Sequence, residues 1–384
     1  MRYMSSKEAA VIWGVSLREV QRLLTESRIP GAVKHGHYWL IPGGSEKPTD
    51  PRTARNNGTA RFAPIPVLHL PKGNADAALD AFSGNALRLA QADLAYWRGD
   101  PEPAKAYWRA VNHTNATLLS AASLAAVAAI SSGDYELYYE VEHKLAKLGR
   151  LTSDPATAAL LSLPGVLASV SLALPEMAPL WLRDCDLSLF APEDRSYALI
   201  LAAMHKRNIG DHAAQLSIAR TTALLIESRT TFTWQDVSLW LLAASACFAM
   251  GDMEPARRYL LTAMQLGLPC GFLMPFADNL GDFGGMMEEL LAEHYPDCRE
   301  PILRLWERSF KNWMRFHNEF SRANITTVLT SQEYHAAKLL ASGETYAGVS
   351  RRMSLSVGRV KSLQTAIYAK LHITRRDELR GYII

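Results

Sequence analysis

The chain has few of the residues, and none of the motifs, on which common enzyme chemistries depend. Its 384 residues include only four cysteines, widely spaced and without a Cys-x-x-Cys pair, which indicates reduced thiols. The sequence contains no glycine-rich phosphate loop, no H-E-x-x-H and no G-x-S-x-G pattern. His35 and His37 are close together, but no third ligand lies near them in the sequence. We therefore expect no enzyme activity, no cofactor and no metal site.

Long apolar runs are also scarce. Residues 156–175 carry no charge and have the length of a membrane span. They are rich in Ala and Ser, however, and Pro164 and Gly165 interrupt them, which favours a buried helix. The N-terminus lacks the apolar core of a secretory signal. These features predict a cytoplasmic protein without a membrane partner.

Charge is distributed unevenly along the chain, although the net value is only +3. Residues 1–61 hold 10 Lys and Arg against 5 Asp and Glu, and residues 326–384 hold 9 against 4. The middle of the chain is acidic, with 22 against 29. Two basic ends around an acidic centre favour nucleic-acid contact at the ends.

The stretch 329–379 contains four short amphipathic helical patterns, and the third is the most informative. At 100° per residue, one side of this helix is apolar and the opposite side carries small residues. The apolar side consists of Val360, Leu363, Ile367 and Leu371, with Gln364 among them; the small residues are Gly358, Ser362, Thr365 and Ala369. Arg359 and Lys361 flank the small residues near the helix N-terminus. The pattern predicts a helix that lies in a DNA groove.

This stretch resembles the LuxR-type helix-turn-helix over about fifty residues without a gap. The matching residues are Leu329, Thr330, Glu333, Leu340, Gly343, Val349, Ser356, Val360, Lys361, Ile367, Lys370, Leu371, Arg376 and Leu379. The resemblance implies double-stranded DNA as a partner, and we expect the contacts to come from Ser356, Arg359, Lys361, Ser362, Thr365 and Lys370. The chain departs from the family at Ser350, Arg359 and Leu363. The DNA-sequence preference of the family is therefore not carried over.

A second basic unit occupies residues 5–41. Ser5 and Glu8 have capping-box spacing at the start of a helix, and we expect Ile12 to face inward. After a turn at 14–16, a helix from Leu17 to Glu26 should bury Leu17 and its apolar neighbours. A hairpin follows, and His35-Gly36 is the expected two-residue turn.

This succession resembles the winged helix-turn-helix of MerR-like and excisionase-type DNA-binding domains. The residues that carry the resemblance are Glu8, Ala9, Ala10, Gly14, Val15, Ser16, Val20, Ile29, Pro30, Gly36, Trp39, Leu40, Ile41 and Pro42. It implies that Arg18, Gln21 and Arg22 enter a groove while Lys34 and His35 contact the DNA backbone from the wing. A winged-helix module used for protein contact alone is the alternative.

The middle of the chain is rich in Ala and Leu and has an internal repeat. Gly-Asp pairs recur at Gly99, Gly133, Gly210 and Gly251, each between two helical patterns. Because a Gly can end one helix and an Asp can cap the next, the repeat predicts about five antiparallel helix pairs in a solenoid. The units resemble tetratricopeptide repeats in a degenerate form. We expect most of its aromatic residues, Trp97, Tyr107, Trp108, Tyr138, Tyr139, Trp181, Trp234 and Trp240, to lie in the core.

The predicted fold is mainly α. It comprises an N-terminal winged helix-turn-helix with a small β-hairpin (1–42), a linker (43–75), a tetratricopeptide-like solenoid (76–325) and a C-terminal four-helix LuxR-like helix-turn-helix (326–384). The predicted function is sequence-specific transcriptional regulation, in which the solenoid senses an effector or mediates oligomerisation. The effector remains open between a peptide, a protein and a small molecule, and homodimerisation remains open too. The alternatives are a protein-interaction scaffold and an architectural DNA binder that uses mainly the N-terminal module.

Overall fold

A computed structural model describes residues 3–13, 15–25, 29, 32–35, 38–42, 45, 68–228, 230–321, 329–353 and 355–383. The chain is mainly helical, with a small amount of β-sheet. It divides into two compact units, Met1–Arg61 and Phe62–Ile384, which we name the N-terminal unit and the large unit. Each is described by itself.

The N-terminal unit combines two helices with a three-stranded antiparallel sheet. Its elements are β1 (Tyr3–Met4), α1 (Ser6–Trp13), α2 (Leu17–Thr25), β2 (Val33–His35) and β3 (Tyr38–Pro42), and the strand order is β1-β3-β2. The predicted capping box is confirmed, because the Ser5 amide donates to Glu8 at 2.7 Å and the Glu8 amide donates to Ser5 Oγ at 3.3 Å. Val20, Leu23 and Ile41 are among the residues that form its small core.

Two local expectations for this unit are wrong. His35 pairs with Tyr38 and is thus a strand residue, whereas it was expected to be in the turn; Gly36 lies outside the described residues. Ile12 and Leu17 were expected to face inward, yet they are 66% and 37% exposed. With only eight and nine residues, α1 and α2 bury a narrow stripe, and these two residues lie outside it.

The large unit begins with five successive helix pairs. They are α3 (Gly84–Trp97) with α4 (Glu102–Ala110), α5 (Leu118–Ser132) with α6 (Tyr135–Leu151), α7 (Pro155–Ser171) with α8 (Leu180–Arg183), α9 (Arg195–Asn208) with α10 (His212–Ile226), and α11 (Trp234–Met250) with α12 (Met253–Gly267). Three helices follow, α13 (Met274–Asn279), α14 (Met286–His294) and α15 (Pro296–Ser321). Short strands β4 (Leu70–Pro71) and β5 (Thr231–Phe232) pair antiparallel. Leu68, Leu70 and Ala75 are buried here, so the described end of the predicted linker belongs to the core.

The Gly-Asp positions form the links within four of these pairs. Gly99, Gly133, Gly210 and Gly251 all have positive φ, which glycine adopts without steric cost. Asp134 and Asp211 then cap the next helix by accepting from the amides of Leu137 and Ala214, each at 3.1 Å. Asp252 is in the cap position of α12 but forms no such side-chain bond. The glycine of the repeat thus ends a helix at all four positions, whereas the aspartate does not cap the next helix at every one.

Helix α15 runs back across the turns of the earlier helix pairs. The Asn312 amide donates to the Ser131 carbonyl at 2.9 Å, and the Trp313 indole donates to the Ser171 carbonyl at 2.6 Å. His317 Nδ1 lies 2.7 Å from the Leu172 carbonyl oxygen. These side chains occupy backbone acceptors near the ends of α5 and α7. Helix α15 is therefore held against the C-terminal ends of α5 and α7.

The C-terminal part of the large unit contains α16 (Ser331–Ala341), α17 (Tyr346–Arg352), α18 (Val357–Leu371) and a final 3₁₀ turn, Asp377–Gly381. We name residues 329–383 the C-terminal segment. Its core includes Ala337, Leu340, Val349 and Ile367. Arg376 fastens the last turn to this core by donating to the carbonyls of Leu340 and Glu344.

The long uncharged run in the middle of the sequence falls largely within α7, which continues through Pro164. Most of its apolar side chains pack in the core of the large unit. Among the described helices, none has both the length and the apolar character needed to cross a membrane.

Candidate nucleic-acid interface

Helix α18 has the two sides that its sequence predicts. Val360, Leu363, Ile367 and Leu371 are between 0% and 7% exposed and anchor the helix to α16 and α17. The small residues of the opposite side, Gly358, Ser362, Thr365 and Ala369, are all exposed. Ser356 caps the helix, because its Oγ accepts from the Arg359 amide at 3.1 Å. The exposed side of α18, with Arg359 and Lys361, is named the reading face.

The cations of the reading face are held by weak local contacts. The Arg359 guanidinium donates to Gln332 Oε1 at 3.2 Å, and the Lys361 ammonium lies 5.8 Å from the Tyr346 ring centre. Both side chains remain exposed, so either can exchange its contact for a phosphate or a base edge. The hydroxyls of Ser362 and Thr365 donate to helix carbonyls one turn earlier, which leaves their lone pairs accessible.

Lys370 differs from the other cations because it already has a strong partner. Its ammonium lies 2.7 Å from Glu333 Oε2, and Glu333 is largely buried. Burial alone would raise the pKa of Glu333, but hydrogen bonds from Lys370 and Thr330 outweigh it and lower that pKa. The Glu333 carboxylate also accepts from the Thr330 amide at 2.7 Å in the capping box of α16. A phosphate contact by Lys370 would therefore compete with this ion pair.

The C-terminal segment is seated on the rest of the large unit through aromatic contacts with α15. The Phe310 and Tyr334 rings meet edge to face at 4.9 Å, and the His335 ring stacks on Trp306 at 5.1 Å. His335 is 5% exposed and its Nε2 lacks a hydrogen-bond partner among the described residues. Burial is the main cause that lowers its pKa to about 4. The imidazole is therefore neutral at neutral pH.

Further contacts join α17 to α11 and to the turn before α14. The Arg352 guanidinium lies 5.2 Å from the Phe248 ring centre, within cation–π range. Gly285 has φ 103°, and a Cβ built there would lie 2.8 Å from the Arg352 carbonyl oxygen. A larger residue would push the segment away. Both contacts leave the reading face uncovered by the described residues.

The N-terminal unit presents a smaller cationic surface on α2. Arg18 and Gln21 are exposed, as the resemblance requires. Arg22 is half-buried and forms two bonds with Glu19, at 2.7 and 3.2 Å. On the wing, Lys34 is exposed, with its ammonium 6.0 Å from the Trp39 ring centre. The His35 backbone lies in β2, and its side chain is outside the described residues.

A large cavity inside the large unit was not anticipated from the sequence. Its volume is about 1020 Å³, and its walls come from α3, α5, α7, α9, α11, α13, α15 and the C-terminal segment. Trp97 and Trp234 line it, whereas Trp108 and Trp181 are buried in the surrounding core. Because each helix contributes only a few wall residues, no local pattern could have revealed the enclosure.

Comparison of the chain with protein-family models, with curated proteins and with solved structures finds no match.

Proposed function

We propose that this protein is a sequence-specific DNA-binding transcriptional regulator. In this proposal the N-terminal unit is a winged helix-turn-helix, the helix pairs form a tetratricopeptide-like sensing domain, and the C-terminal segment is a LuxR-like helix-turn-helix. The observation that carries the proposal is the reading face. A capped helix there presents small side chains and two cations to solvent, while its apolar side is buried.

The proposed mechanism places α18 in the major groove, whose width of about 12 Å admits one helix. Ser356 fixes the start of the helix, so Arg359 and Lys361 reach a guanine edge or a phosphate near the groove. The small residues behind them let the backbone come close to the bases. Ser362 and Thr365 then offer hydroxyls to bases of either strand.

The helix pairs supply the regulatory part of the proposal. The C-terminal segment packs against α15, α11 and the Gly284–Gly285 turn. A conformational change in these elements would therefore act directly on the segment that carries the reading face. An effector that binds one arrangement of this packing better than another would shift the population of DNA-competent molecules. Homodimerisation through this region is a further way to set the spacing of two reading faces.

The test begins with selection of duplexes from a random library by the purified full chain. Affinity for the selected duplex is then measured at two salt concentrations for the wild type and for Arg359→Ala/Lys361→Ala. We expect the double variant to lose affinity and its log–log salt slope to fall by about one to two. Lys147→Ala/Arg150→Ala removes the same charge from exposed positions on α6 and serves as the control. Wild-type binding by the Arg359→Ala/Lys361→Ala protein would refute the assignment of the reading face.

One alternative has a specific observation in its favour. The N-terminal unit has its own core and an exposed Arg18 and Gln21, so it could read DNA without the C-terminal segment. Deleting residues 1–61 separates the two readings: this alternative predicts loss of all sequence preference, whereas the main proposal predicts that selection by α18 survives. A protein-interaction scaffold would retain no duplex even at low salt.

A further inference from the structure

The walls of the internal cavity carry two carboxyl groups that form no ion pair with the described residues. Asp93 accepts a hydrogen bond from the Trp97 indole at 2.9 Å and forms no ion pair with the described residues. Asp278 forms neither a hydrogen bond nor an ion pair with them. It is exposed and belongs to the cavity wall. Asp93, Tyr96 and Asp278 all line the cavity, and burial, followed by the charges of the two carboxyls, raises the pKa of Tyr96.

The other charges of the wall are already paired with one another. Arg207 donates to Asn279 at 2.8 Å and lies 3.2 Å from Asp282, and Lys338 is 3.9 Å from the same carboxylate. Arg352 and Glu344 form a separate pair at 2.8 Å. Neither Asp93 nor Asp278 forms an ion pair with any of these cations. When both are ionised, the described residues of the wall hold four carboxylates and three cations, so one negative charge is unbalanced.

Aromatic rings line the same cavity, and one of them, Trp97, is hydrogen-bonded to Asp93. The Trp97 and Trp234 rings stack at 5.1 Å, and Tyr197 meets Trp234 edge to face at 5.8 Å. All three residues line the cavity, together with Tyr96. Ring faces attract cations, and apolar walls favour an apolar ligand body. The volume of about 1020 Å³ is at the upper end of the range for small-molecule sites.

We propose that this cavity is a binding site for an organic cation with an aromatic or apolar body. The cationic group pairs with Asp93 and Asp278, and the body packs against Trp97, Trp234 and Tyr197. Neither a small anion nor a purely apolar molecule satisfies both features of the wall. A carboxylate ligand would meet uncompensated negative charge, and a neutral one would leave Asp278 without a partner.

The state of the two carboxyls agrees with this assignment. Burial is the first cause that raises the pKa of each to about 7, with the Trp97 hydrogen bond opposing it for Asp93 and Arg207 opposing it for Asp278. A bound cation favours the ionised form. Affinity for a cation of permanent charge should therefore rise as pH increases from 6 to 8.

The ligand would also touch the C-terminal segment. His335, Lys338 and Arg352 belong to the same cavity wall as the carboxyls, and His335 presents no charge at neutral pH. A bound ligand would thus strengthen or alter the packing of α16 against α15. This regulatory consequence, unlike the binding itself, rests on the proposed function.

The test uses two ions of the same shape and opposite charge, tetraphenylphosphonium and tetraphenylborate, with benzyltrimethylammonium as a slimmer cation. Binding to the purified full chain is measured by tryptophan fluorescence and by calorimetry. We expect at least one cation to bind at micromolar to millimolar concentration, and tetraphenylborate to bind at least about tenfold more weakly. Binding of at least one cation should be stronger at pH 8 than at pH 6.

The variants Asp93→Asn and Asp278→Asn should each weaken cation binding by about tenfold or more. Asp80→Asn, at an exposed position outside the cavity, is the matched control and should bind as the wild type does. Equal binding of the two tetraphenyl ions, unchanged binding by both cavity variants, or no binding of either cation would overturn the proposal.

DNA binding is measured in parallel with the selected duplex, so the two proposals can fail separately. Cation binding without any duplex binding would leave the site standing and refute the DNA-binding function. Duplex binding without cation binding would leave the DNA-binding function standing and refute the cation site. A change in duplex affinity on saturation with the cation, absent with Asp278→Asn, supports the regulatory consequence, and an unchanged affinity refutes it.

Discussion

The two candidate reading helices differ in length, in partners and in support. Helix α2 has nine residues, and one of its cations, Arg22, is paired with Glu19. Helix α18 has fifteen residues. Its cations Arg359 and Lys361 contact the Gln332 amide oxygen and the Tyr346 ring, and both contacts are weak enough to exchange for DNA. The first belongs to a unit with a small core of its own, whereas the second belongs to a segment seated on a cavity wall. On this ground our proposal gives the main sequence-reading role to α18 and an auxiliary role to α2.

The largest expected effect is a loss of stability when a core side chain of α18 is truncated. Ile367 is fully buried between α18 and its neighbours, so Ile367→Ala should reduce the free energy of unfolding of the large unit by roughly 3–5 kcal/mol. Leu23→Ala makes the matched change beneath α2. Denaturation followed by hydrogen exchange should show each loss confined to its own unit. Loss of protection in both units from either variant would contradict two separate cores.

The buried imidazole at the seat of the C-terminal segment should make stability depend on pH. The pKa of His335 is lowered to about 4, below its unfolded value of about 6.5. Its contribution is therefore fully present above pH 6.5 and is lost as pH falls towards 4. The facing charges are Lys338 and Asp282. Between pH 7.5 and pH 4.5 the difference in unfolding free energy between wild type and His335→Gln should change by about 2–3 kcal/mol.

The matched control is the exposed His143, and His143→Gln should show no such pH dependence. The α2 helix of the N-terminal unit contains no histidine, so its hydrogen exchange should not follow the His335 transition. A flat difference between wild type and His335→Gln across this pH range would contradict a neutral, buried imidazole.

The cavity carboxyl Asp93 should have the opposite dependence. Its folded pKa of about 7 lies above the unfolded value of about 4, so its contribution to stability is lost as pH rises through this interval. Asp93→Asn keeps an acceptor for the Trp97 indole and removes the buried charge. We expect the variant to be more stable than wild type by about 1–2 kcal/mol at pH 8 and to show no gain at pH 4. Chemical denaturation at both pH values measures the difference, and lower stability at pH 8 would contradict it.

The smallest expected effects come from the caps of the two reading helices. Ser356 Oγ accepts from the Arg359 amide at 3.1 Å, and Ser16 Oγ accepts from the Glu19 amide at 3.2 Å. Ser356→Ala and Ser16→Ala should each cost about 1 kcal/mol of stability. If α18 is the main reader, Ser356→Ala should weaken DNA binding more than Ser16→Ala does. Equal effects on DNA binding would remove the distinction between the two helices.

Local sequence patterns anticipated the parts of the structure that local physics determines. The apolar stripe of α18, the Ser356 cap and the positive-φ glycines follow from helix periodicity and end geometry. The predicted burial of Ile12 and Leu17 was wrong, because periodicity alone does not say how much of a short helix its neighbours cover. The pairing of Lys370 with Glu333 was missed because it joins α18 to the start of α16. Asp93 and Asp278, which are far apart in the sequence, come to line one cavity only when the helices pack together.

The most direct test of the account compares the two helices on one selected duplex. Affinity is measured by fluorescence anisotropy for wild type, Arg359→Ala/Lys361→Ala and Arg18→Ala/Lys34→Ala, each double variant losing two exposed cations. The account predicts a loss of about 2–4 kcal/mol in binding for the α18 variant and a smaller loss for the N-terminal variant. Unchanged binding by the α18 variant, with the loss confined to the N-terminal one, would contradict it.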